Sequence, residues 1–237
     1  EYDNSTIFGD LKITFLNKDN SFKYTIKNES LNFLSADKKF QGSLNFKPFY
    51  LSTNLSFSHL DQKKIFRDES LLFDLLESEL LNNPNLNALI NINVDKFAYM
   101  KDLFLQVLLD DGKIISNNFN VNWNDAVSIN SSDIEFISDQ NGKKLVGEIK
   151  FIFDDIERFF RYFQIKRNYR DVFDEIKSDF IYDFVDNKIT INNLKIDNVS
   201  FKKLNKFLDQ NNKKDKSLFN KVTLRNFIKE FFRIYAG

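Results

Sequence analysis

The amino-acid sequence, 237 residues long, predicts a mainly β fold of the α+β class. We expect an elongated, curved antiparallel sheet with one apolar face, covered in part by about four amphipathic helices. Two observations predict this fold. Apolar and polar residues alternate over most of the chain, as in antiparallel strands that are dry on one side and wet on the other. Four further segments repeat apolar residues at helical spacing.

The stretch Lys144–Phe163 shows both patterns in succession. The alternating apolar positions of its first part are Leu145, Gly147, Ile149, Phe151 and Phe153. Asp154 then stands at the position of a helix N-cap, with Glu157 three residues later, as in a capping box. The apolar stripe that follows is Ile156, Phe159, Phe160 and Phe163. We therefore predict a one-sided strand and a helix that packs back on its apolar face, with Arg158 and Arg161 pointing outward.

Alternating segments predict most of the other strands in chain order. They cover residues 7–15, 22–26, 40–46, 51–57, 88–94, 119–123, 134–136, 176–184 and 189–196. A further predicted strand, Leu103–Leu109, is apolar on both faces. The form apolar-x-Gly-x-apolar-x-apolar occurs at Gly9, Gly42 and Gly147, which are half of the six glycines. Because a glycine inside a strand commonly marks a bulge or a bend, we expect a bend or a bulge of the sheet at these three positions.

Three more amphipathic helices are predicted. The first covers Asp68–Asn82, with a stripe of leucines, acidic residues in its first turn and Pro84 beyond its end. Two helices complete the chain, one after a cap at Asn198 or Ser200 and one after Thr223. The total is about a dozen strands and four helices.

Composition limits the classes of function. The 34 basic and 34 acidic residues balance, which argues against a general nucleic-acid binder. The chain has no cysteine, so disulfides and thiolate metal sites are excluded. No apolar run approaches the roughly 18–20 residues that span a bilayer. We interpret residues 1–237 as a single elongated region, with possible sub-units at 1–100, 101–165 and 166–237.

Candidate catalytic residues have simpler structural interpretations. His59 is the only histidine, and no nucleophile motif accompanies it, so we interpret it as a surface residue. The carboxylate pairs Asp110-Asp111 and Asp154-Asp155 suit a turn and a helix cap. No phosphate-binding glycine loop is present. We therefore predict no enzyme activity, no metal and no cofactor.

The segment Arg158–Arg170 is basic and rich in aromatic residues. Its cations are able to contact anionic lipid headgroups or an acidic partner. The residues that we assign to this contact are Arg158, Arg161, Lys166 and Arg167. The alternative is the solvated back of a helix, with basic residues near its C-terminus favoured by the helix dipole.

Three stretches resemble the AsmA-like family of bridge-like lipid transfer proteins, the TamB and YhdP type. They are FQGSLNFKPFYLSTNLSFSHLD (40–61), LVGEIKFIFDDIERFFRYFQI (145–165) and IDNVSFKKLNKFL (196–208). In each, a one-sided strand is followed by a short amphipathic segment. Proteins of this family are anchored at the inner membrane of Gram-negative bacteria by an N-terminal helix. They cross the periplasm as a long, taco-shaped β-sheet with an apolar interior.

The resemblance implies that this chain is a C-terminal fragment of a periplasmic protein. The implied function is phospholipid transport to the outer membrane through a hydrophobic groove, in envelope biogenesis. Phospholipid or another acyl-chain lipid, and inner- or outer-membrane envelope proteins, are the implied partners; nucleic acid is not. The groove residues are expected to be Leu55, Phe57, Ile90, Ile92, Phe119, Val121, Trp123, Ile149, Phe151 and Phe153. The alternative is a structural or adaptor domain of the cell envelope, with a closed core and no lipid conduit.

Overall fold

A computed structural model describes residues 6–15, 18–60, 80–97, 100–139, 142–186, 188–213 and 221–237. Within these ranges the chain is mainly β, as predicted, and has 14 strands and three α-helices. It divides into two compact units, Glu1–Ser116 (unit 1) and Asn117–Gly237 (unit 2). The boundary falls within a strand, whereas the possible sub-unit boundaries suggested by the sequence lie after residues 100 and 165.

Unit 1 contains seven strands and the start of an eighth. Their bounds are β1 (Ile7–Phe15), β2 (Lys18–Lys27), β3 (Ser30–Ser35), β4 (Phe40–Phe46), β5 (Phe49–Phe57), β6 (Asn87–Phe97), β7 (Met100–Asp110) and β8 (Lys113–Trp123). A short 3-10 helix, Leu80–Asn82, precedes β6. The rest of the helix predicted over Asp68–Asn82 lies outside the described residues.

Unit 2 contains the end of β8, six more strands and the three helices. The strands are β9 (Val127–Ser131), β10 (Ile134–Asp139), β11 (Gly142–Phe153), β12 (Glu175–Asp183), β13 (Lys188–Ile196) and β14 (Val199–Ser200). The helices are α1 (Ile156–Phe163), α2 (Lys202–Asn212) and α3 (Lys221–Tyr235). β12 covers Glu175–Asp183, which confirms the strand predicted over 176–184 to within one residue at each end.

The strands of unit 1 follow chain order, β1 to β7, in one sheet. Neighbours are antiparallel with one exception, because β5 and β6 pair in parallel, with Leu55 opposite Ile92. The prediction of a wholly antiparallel sheet is therefore wrong at this pair. Alternation cannot reveal the exception, because the side chains of a parallel strand also alternate between the two faces of the sheet.

Cross-strand register places the apolar residues of unit 1 in rows on one face. One wholly apolar row crosses all seven strands and consists of Ile7, Ile26, Leu31, Leu44, Leu51, Ala88 and Leu109. The opposite face carries a polar row. In it the Nδ2 of Asn91 donates to the Oδ1 of Asn54 and the Nε2 of Gln106 donates to the Oδ1 of Asn91, both at 2.9 Å.

Gly9 and Gly42 do not lie at bulges in the sheet of unit 1. Each lies in an uninterrupted antiparallel ladder, so the prediction of an irregularity at these two positions is wrong. Their role is to leave space on the apolar face. A Cβ atom at Gly9 would collide with the ring of Tyr24, and one at Gly42 would lie 2.7 Å from the ring of Phe33. A cross-strand aromatic ring therefore lies over each glycine.

Gly147, in unit 2, does lie at an irregularity. Four residues at the junction of β9 and β10, 131–134, lie opposite only three residues of β11, 147–149. This mismatch is a β-bulge. A Cβ atom at Gly147 would lie 2.6 Å from the carbonyl oxygen of Asp133. The prediction of a bulge is thus confirmed at this glycine, with the extra residue on the neighbouring strands.

The apolar face of unit 2 is covered by helices. Its core cluster combines side chains from α1, α2, α3, β13 and the segment before β12. The buried members are Phe160, Phe163, Ile165, Phe173, Leu194, Ile196, Leu204, Phe207, Leu208, Phe231 and Phe232. Phe160 is 0% exposed, and its ring meets that of Phe232 edge-on at 5.1 Å. The predicted packing of α1 on the apolar face of the sheet is therefore confirmed.

The N-cap of α1 is Asp155, one residue later than predicted. A carboxylate oxygen of Asp155 accepts a hydrogen bond from the backbone N–H of Arg158 at 2.8 Å. The carboxylate of Asp154 instead accepts a hydrogen bond from the Ser128 hydroxyl at 2.7 Å. Both acids can satisfy the sequence pattern of a cap, and only the position of β9 decides between them.

We predict that Gly42→Ala lowers the free energy of unfolding by about 1–3 kcal/mol, the usual cost of overpacking. The new Cβ atom would collide with the backbone carbonyl of Ser52, which the ladder holds in place. Gly9→Ala is the matched variant and should cost less, because the obstacle there is the far end of the Tyr24 side chain. Urea denaturation measures both, and equal losses would contradict this account.

Candidate functional site

The groove residues predicted in unit 1 share one face of its sheet. Leu55 lies opposite Ile92, and Phe57 lies opposite Val94 on the same pair of strands. Ile90 is two residues from Ile92 and therefore projects to the same side. The four predicted side chains Leu55, Phe57, Ile90 and Ile92 are all half-buried. The structure thus brings this part of the predicted site together.

A line of aromatic rings extends this face across β2 to β5. The ring centroid of Phe22 lies 6.4 Å from that of Phe33 and 6.3 Å from that of Phe40. Phe40 in turn lies 5.4 Å from Phe57, edge to face. Sequence analysis did not assign Phe22, Phe33 or Phe40 to the site, although their alternation with polar residues was the available signal.

The apolar face of unit 1 carries no α-helix among the described residues of that unit. Its side chains become more exposed toward β1, where Ile7, Leu11 and Ile13 are between 43% and 53% exposed. A face that is apolar, several strands wide and partly exposed is a surface on which acyl chains or another apolar partner can lie.

The groove residues predicted in unit 2 also share one face, but helix α1 covers part of it. The Trp123 ring lies 4.8 Å from Tyr162 and 5.5 Å from Phe163 of α1. Phe153 lies 5.1 Å from Phe159, another α1 residue. Trp123 and Phe153, both half-buried, therefore pack against the aromatic core under α1.

The remaining four predicted groove residues of unit 2 are Phe119, Val121, Ile149 and Phe151. Val121 and Phe151 both lie opposite Ile129 of β9. Val121 is 3% exposed, whereas Phe119, Ile149 and Phe151 are half-buried.

Two members of the basic segment have structural partners. Arg158 is half-buried, and its guanidinium donates to the Oδ1 of Asn124 at 3.2 Å. The prediction that Arg158 points outward into solvent is therefore wrong. Arg170 donates to the carbonyl of Ile165 at 3.0 Å and lies over the ring of Phe160. These contacts fix the loop after α1 to the core.

Three cations of the same segment remain available. Arg161, Lys166 and Arg167 are exposed and form no ion pair with any residue that the structure describes. Arg161 lies on the solvent side of α1, as predicted. The structure therefore leaves three of the four assigned headgroup residues free to bind an anion.

The polar face of unit 2 carries two adjoining depressions of about 390 and 300 Å³ that sequence analysis did not identify. Both are lined by Glu148 and Lys177, whose carboxylate oxygen and Nζ atom form an ion pair at 2.7 Å. Hydrogen bonding to this carboxylate raises the pKa of Lys177. The side chains that line the two depressions are mostly polar, which does not suit an acyl chain. The sequence feature that pointed to the larger depression was the run of Asn residues that alternate with apolar residues along β8.

The other candidate residues have structural roles. His59 is exposed, as the sequence predicted. Asp111 adopts a left-handed turn conformation between β7 and β8, followed by Gly112 with φ +74°. No group of three His, Asp or Glu side chains among the described residues could hold a metal ion. None of the helices that the structure describes is long and apolar enough to cross a membrane.

Comparison with known proteins returned no match: no family model, no curated protein and no solved structure is similar to this chain.

We predict that Val121→Arg unfolds or strongly destabilises the protein, with a loss of roughly 3–5 kcal/mol, because an unpaired charge would replace a buried side chain. Thermal melting measures this loss. Asn120→Arg, on the opposite face of the same strand, should leave the melting temperature nearly unchanged. Asn120 is a better control than Asn122, whose Oδ1 accepts a hydrogen bond from the backbone N–H of Asp125 at 2.8 Å. An unchanged melting temperature for Val121→Arg would show that the face is open at this strand.

Proposed function

We propose that this chain is an AsmA-like module of the periplasm that carries phospholipid acyl chains on the apolar face of unit 1. In this proposal it takes part in phospholipid transport to the outer membrane and in envelope biogenesis. The observation that supports it is the width of that face, on which an apolar row from Ile7 to Leu109 crosses seven strands. The described part of unit 1 contains no α-helix to cover this face.

The dimensions of the face suit an acyl chain. Seven strands at about 4.8 Å spacing make a row about 29 Å long. One leaflet of a bilayer has a hydrocarbon thickness of about 15 Å, half of the roughly 30 Å core. An extended acyl chain therefore fits within one row. Because the residues of the row offer no hydrogen bonds, they would bind a chain without fixing its position along the row, as transport requires.

The chemistry of the two faces also supports this assignment. The polar row of Asn54, Asn91 and Gln106 is hydrogen-bonded within itself on the opposite face. Aromatic side chains, which bury large apolar areas, are concentrated on the acyl-chain side. The sheet would thus remain wet on one side while lipid covers the other.

Headgroup binding is a separate part of the proposal. Arg161, Lys166 and Arg167 are exposed cations on one short segment of unit 2. Phospholipid headgroups carry a phosphate, which such cations attract when they lie near a membrane surface. We assign these three residues to that contact and exclude Arg158, because its guanidinium binds Asn124.

A structural or adaptor role is the second candidate, and a specific observation favours it for unit 2. Helix α1 covers the sheet at Trp123 and Phe153, and the aromatic cluster beneath the helices is closed. If the face of unit 1 proves equally closed, the whole chain would be an adaptor of the cell envelope without a conduit.

We predict that Ile92→Arg lowers binding of fluorescent phosphatidylethanolamine by about tenfold or more, which corresponds to roughly 1.4 kcal/mol. On an open face the long side chain can reach water, so the melting temperature should change little. Asn93→Arg, the next residue of β6 and an exposed one on the polar face, is the control and should alter neither quantity.

Native mass spectrometry of the purified wild type should also reveal bound phospholipid. A wild type that carries no lipid and does not bind the fluorescent probe would overturn the transport proposal. Loss of the folded state in Ile92→Arg would show a closed face and would favour the adaptor.

A further inference from the structure

The outer edge of β13, in unit 2, is protected from pairing with another chain. β14 pairs with only two of its residues, Lys195 and Ile196. Beyond these two residues, side chains of α2 form hydrogen bonds with the backbone of β13. The Oδ1 of Asn205 accepts from the N–H of Leu194 at 3.1 Å, and Asn212 both accepts from the N–H and donates to the carbonyl of Ile191. A short edge strand covered by a helix is a common protection against edge-to-edge association.

The outer edge of β1, in unit 1, has no such protection among the described residues. β1 is nine residues long and contains no proline, and β2 is its only partner strand among the residues that the structure describes. Its ladder with β2 is regular, so no bulge turns its free edge away. Exposed apolar side chains lie on both of its faces: Phe8, on the same face as Asp10 and Lys12, is 75% exposed, and Leu11, on the apolar face, is 49% exposed. A long, flat and apolar edge strand is a template for pairing with another strand.

We propose that β1 pairs with β1 of a second copy of this chain, antiparallel, about a twofold axis at Leu11. Leu11 is the central residue of Ile7–Phe15, so this register pairs all nine residues. It places Asp10 opposite Lys12 of the second copy, and by symmetry Lys12 opposite Asp10 of the second copy. Opposite charges that face each other across strands stabilise the pair.

Neighbouring registers are unfavourable. A slip by one residue would place the apolar residues of one copy on the polar face of the other. A slip by two in one direction brings Asp10 opposite Asp10 of the second copy. A slip by two in the other direction brings Lys12 opposite Lys12 of the second copy. Like charges directly opposite each other destabilise a strand pair. The register with the most paired residues is thus also the one in which the charges match.

A second copy is the partner that these features support, because the charges of β1 are self-complementary in the register that pairs all nine of its residues. The pairing would extend the apolar face of unit 1 across both copies and bury side chains that are exposed in one copy. It does not depend on lipid binding, so it stands or falls separately from the transport proposal.

Sedimentation equilibrium of the full chain tests the proposal. The wild type should show a monomer–dimer equilibrium. Asp10→Lys places lysine opposite lysine twice, and Lys12→Asp places aspartate opposite aspartate twice. Each variant alone should therefore dimerise at least about tenfold more weakly. An equimolar mixture of the two should recover the wild-type affinity as a heterodimer, because the two lysines of one β1 then face the two aspartates of the other.

The control variant is Lys23→Glu. Lys23 lies opposite Asp10 within the same chain and not at the free edge, so this change should leave dimerisation unaltered. Each single variant also disturbs an internal contact, such as the exposed ion pair of Lys12 with Asp19 at 2.6 Å, which contributes little to stability. Melting curves should therefore remain close to that of the wild type.

Three results would overturn the proposal. The first is a wild type that stays monomeric at every concentration measured. The second is association that neither single variant weakens. The third is association that both single variants weaken but their mixture does not restore, which would show that Asp10 and Lys12 do not face each other across the interface.

Discussion

A sheet with one apolar face has to remove that face from water, and most of this structure follows from that requirement. Nearly every strand places its apolar residues on one side and its polar residues on the other. Burial of an aromatic or aliphatic side chain contributes about 1.5–3 kcal/mol, whereas an uncovered face contributes far less. The two units meet this requirement differently, and the difference is the basis of the functional proposal.

Unit 2 meets it with its own helices. α1 follows β11 directly and turns back over the strands, and its N-cap Asp155 fixes the point at which the helix begins. Phe160 and Phe232 then form the centre of an aromatic cluster in which most rings meet edge to face. Each such ring pair adds about 0.5–1.5 kcal/mol beyond burial of area. The result is a core in which aromatic rings of α1 pack directly against Trp123.

Unit 1 meets the same requirement with cross-strand side chains. Tyr24 lies over Gly9 and Phe33 over Gly42, so aromatic rings cover the positions that have no side chain. This lateral packing protects the backbone but leaves the rings themselves half-exposed. Such a face is suited to an apolar ligand that arrives and leaves, because binding requires no part of the described sheet to unfold.

The same physical requirement explains the contrast between the two edge strands. Asn205 and Asn212 are seven residues apart on α2 and therefore lie on one side of that helix, where both reach the backbone of β13. No comparable element accompanies β1 among the described residues. A further strand at that edge could bury the apolar side chains that remain exposed there and form hydrogen bonds with the backbone groups.

The sequence by itself determined the fold class, most strand positions, α1, and the sharing of one face by Leu55, Phe57, Ile90 and Ile92. These features depend on local periodicity, which side-chain geometry converts directly into faces of strands and helices. Tertiary structure alone decided which of two adjacent acids caps α1, that β5 and β6 are parallel, and that Gly9 and Gly42 make space for rings. It also decided that Trp123 is covered by α1 while Arg158 is held by Asn124. Each of these outcomes depends on contacts between residues distant in the sequence, and alternation along one strand carries no information about what lies opposite it.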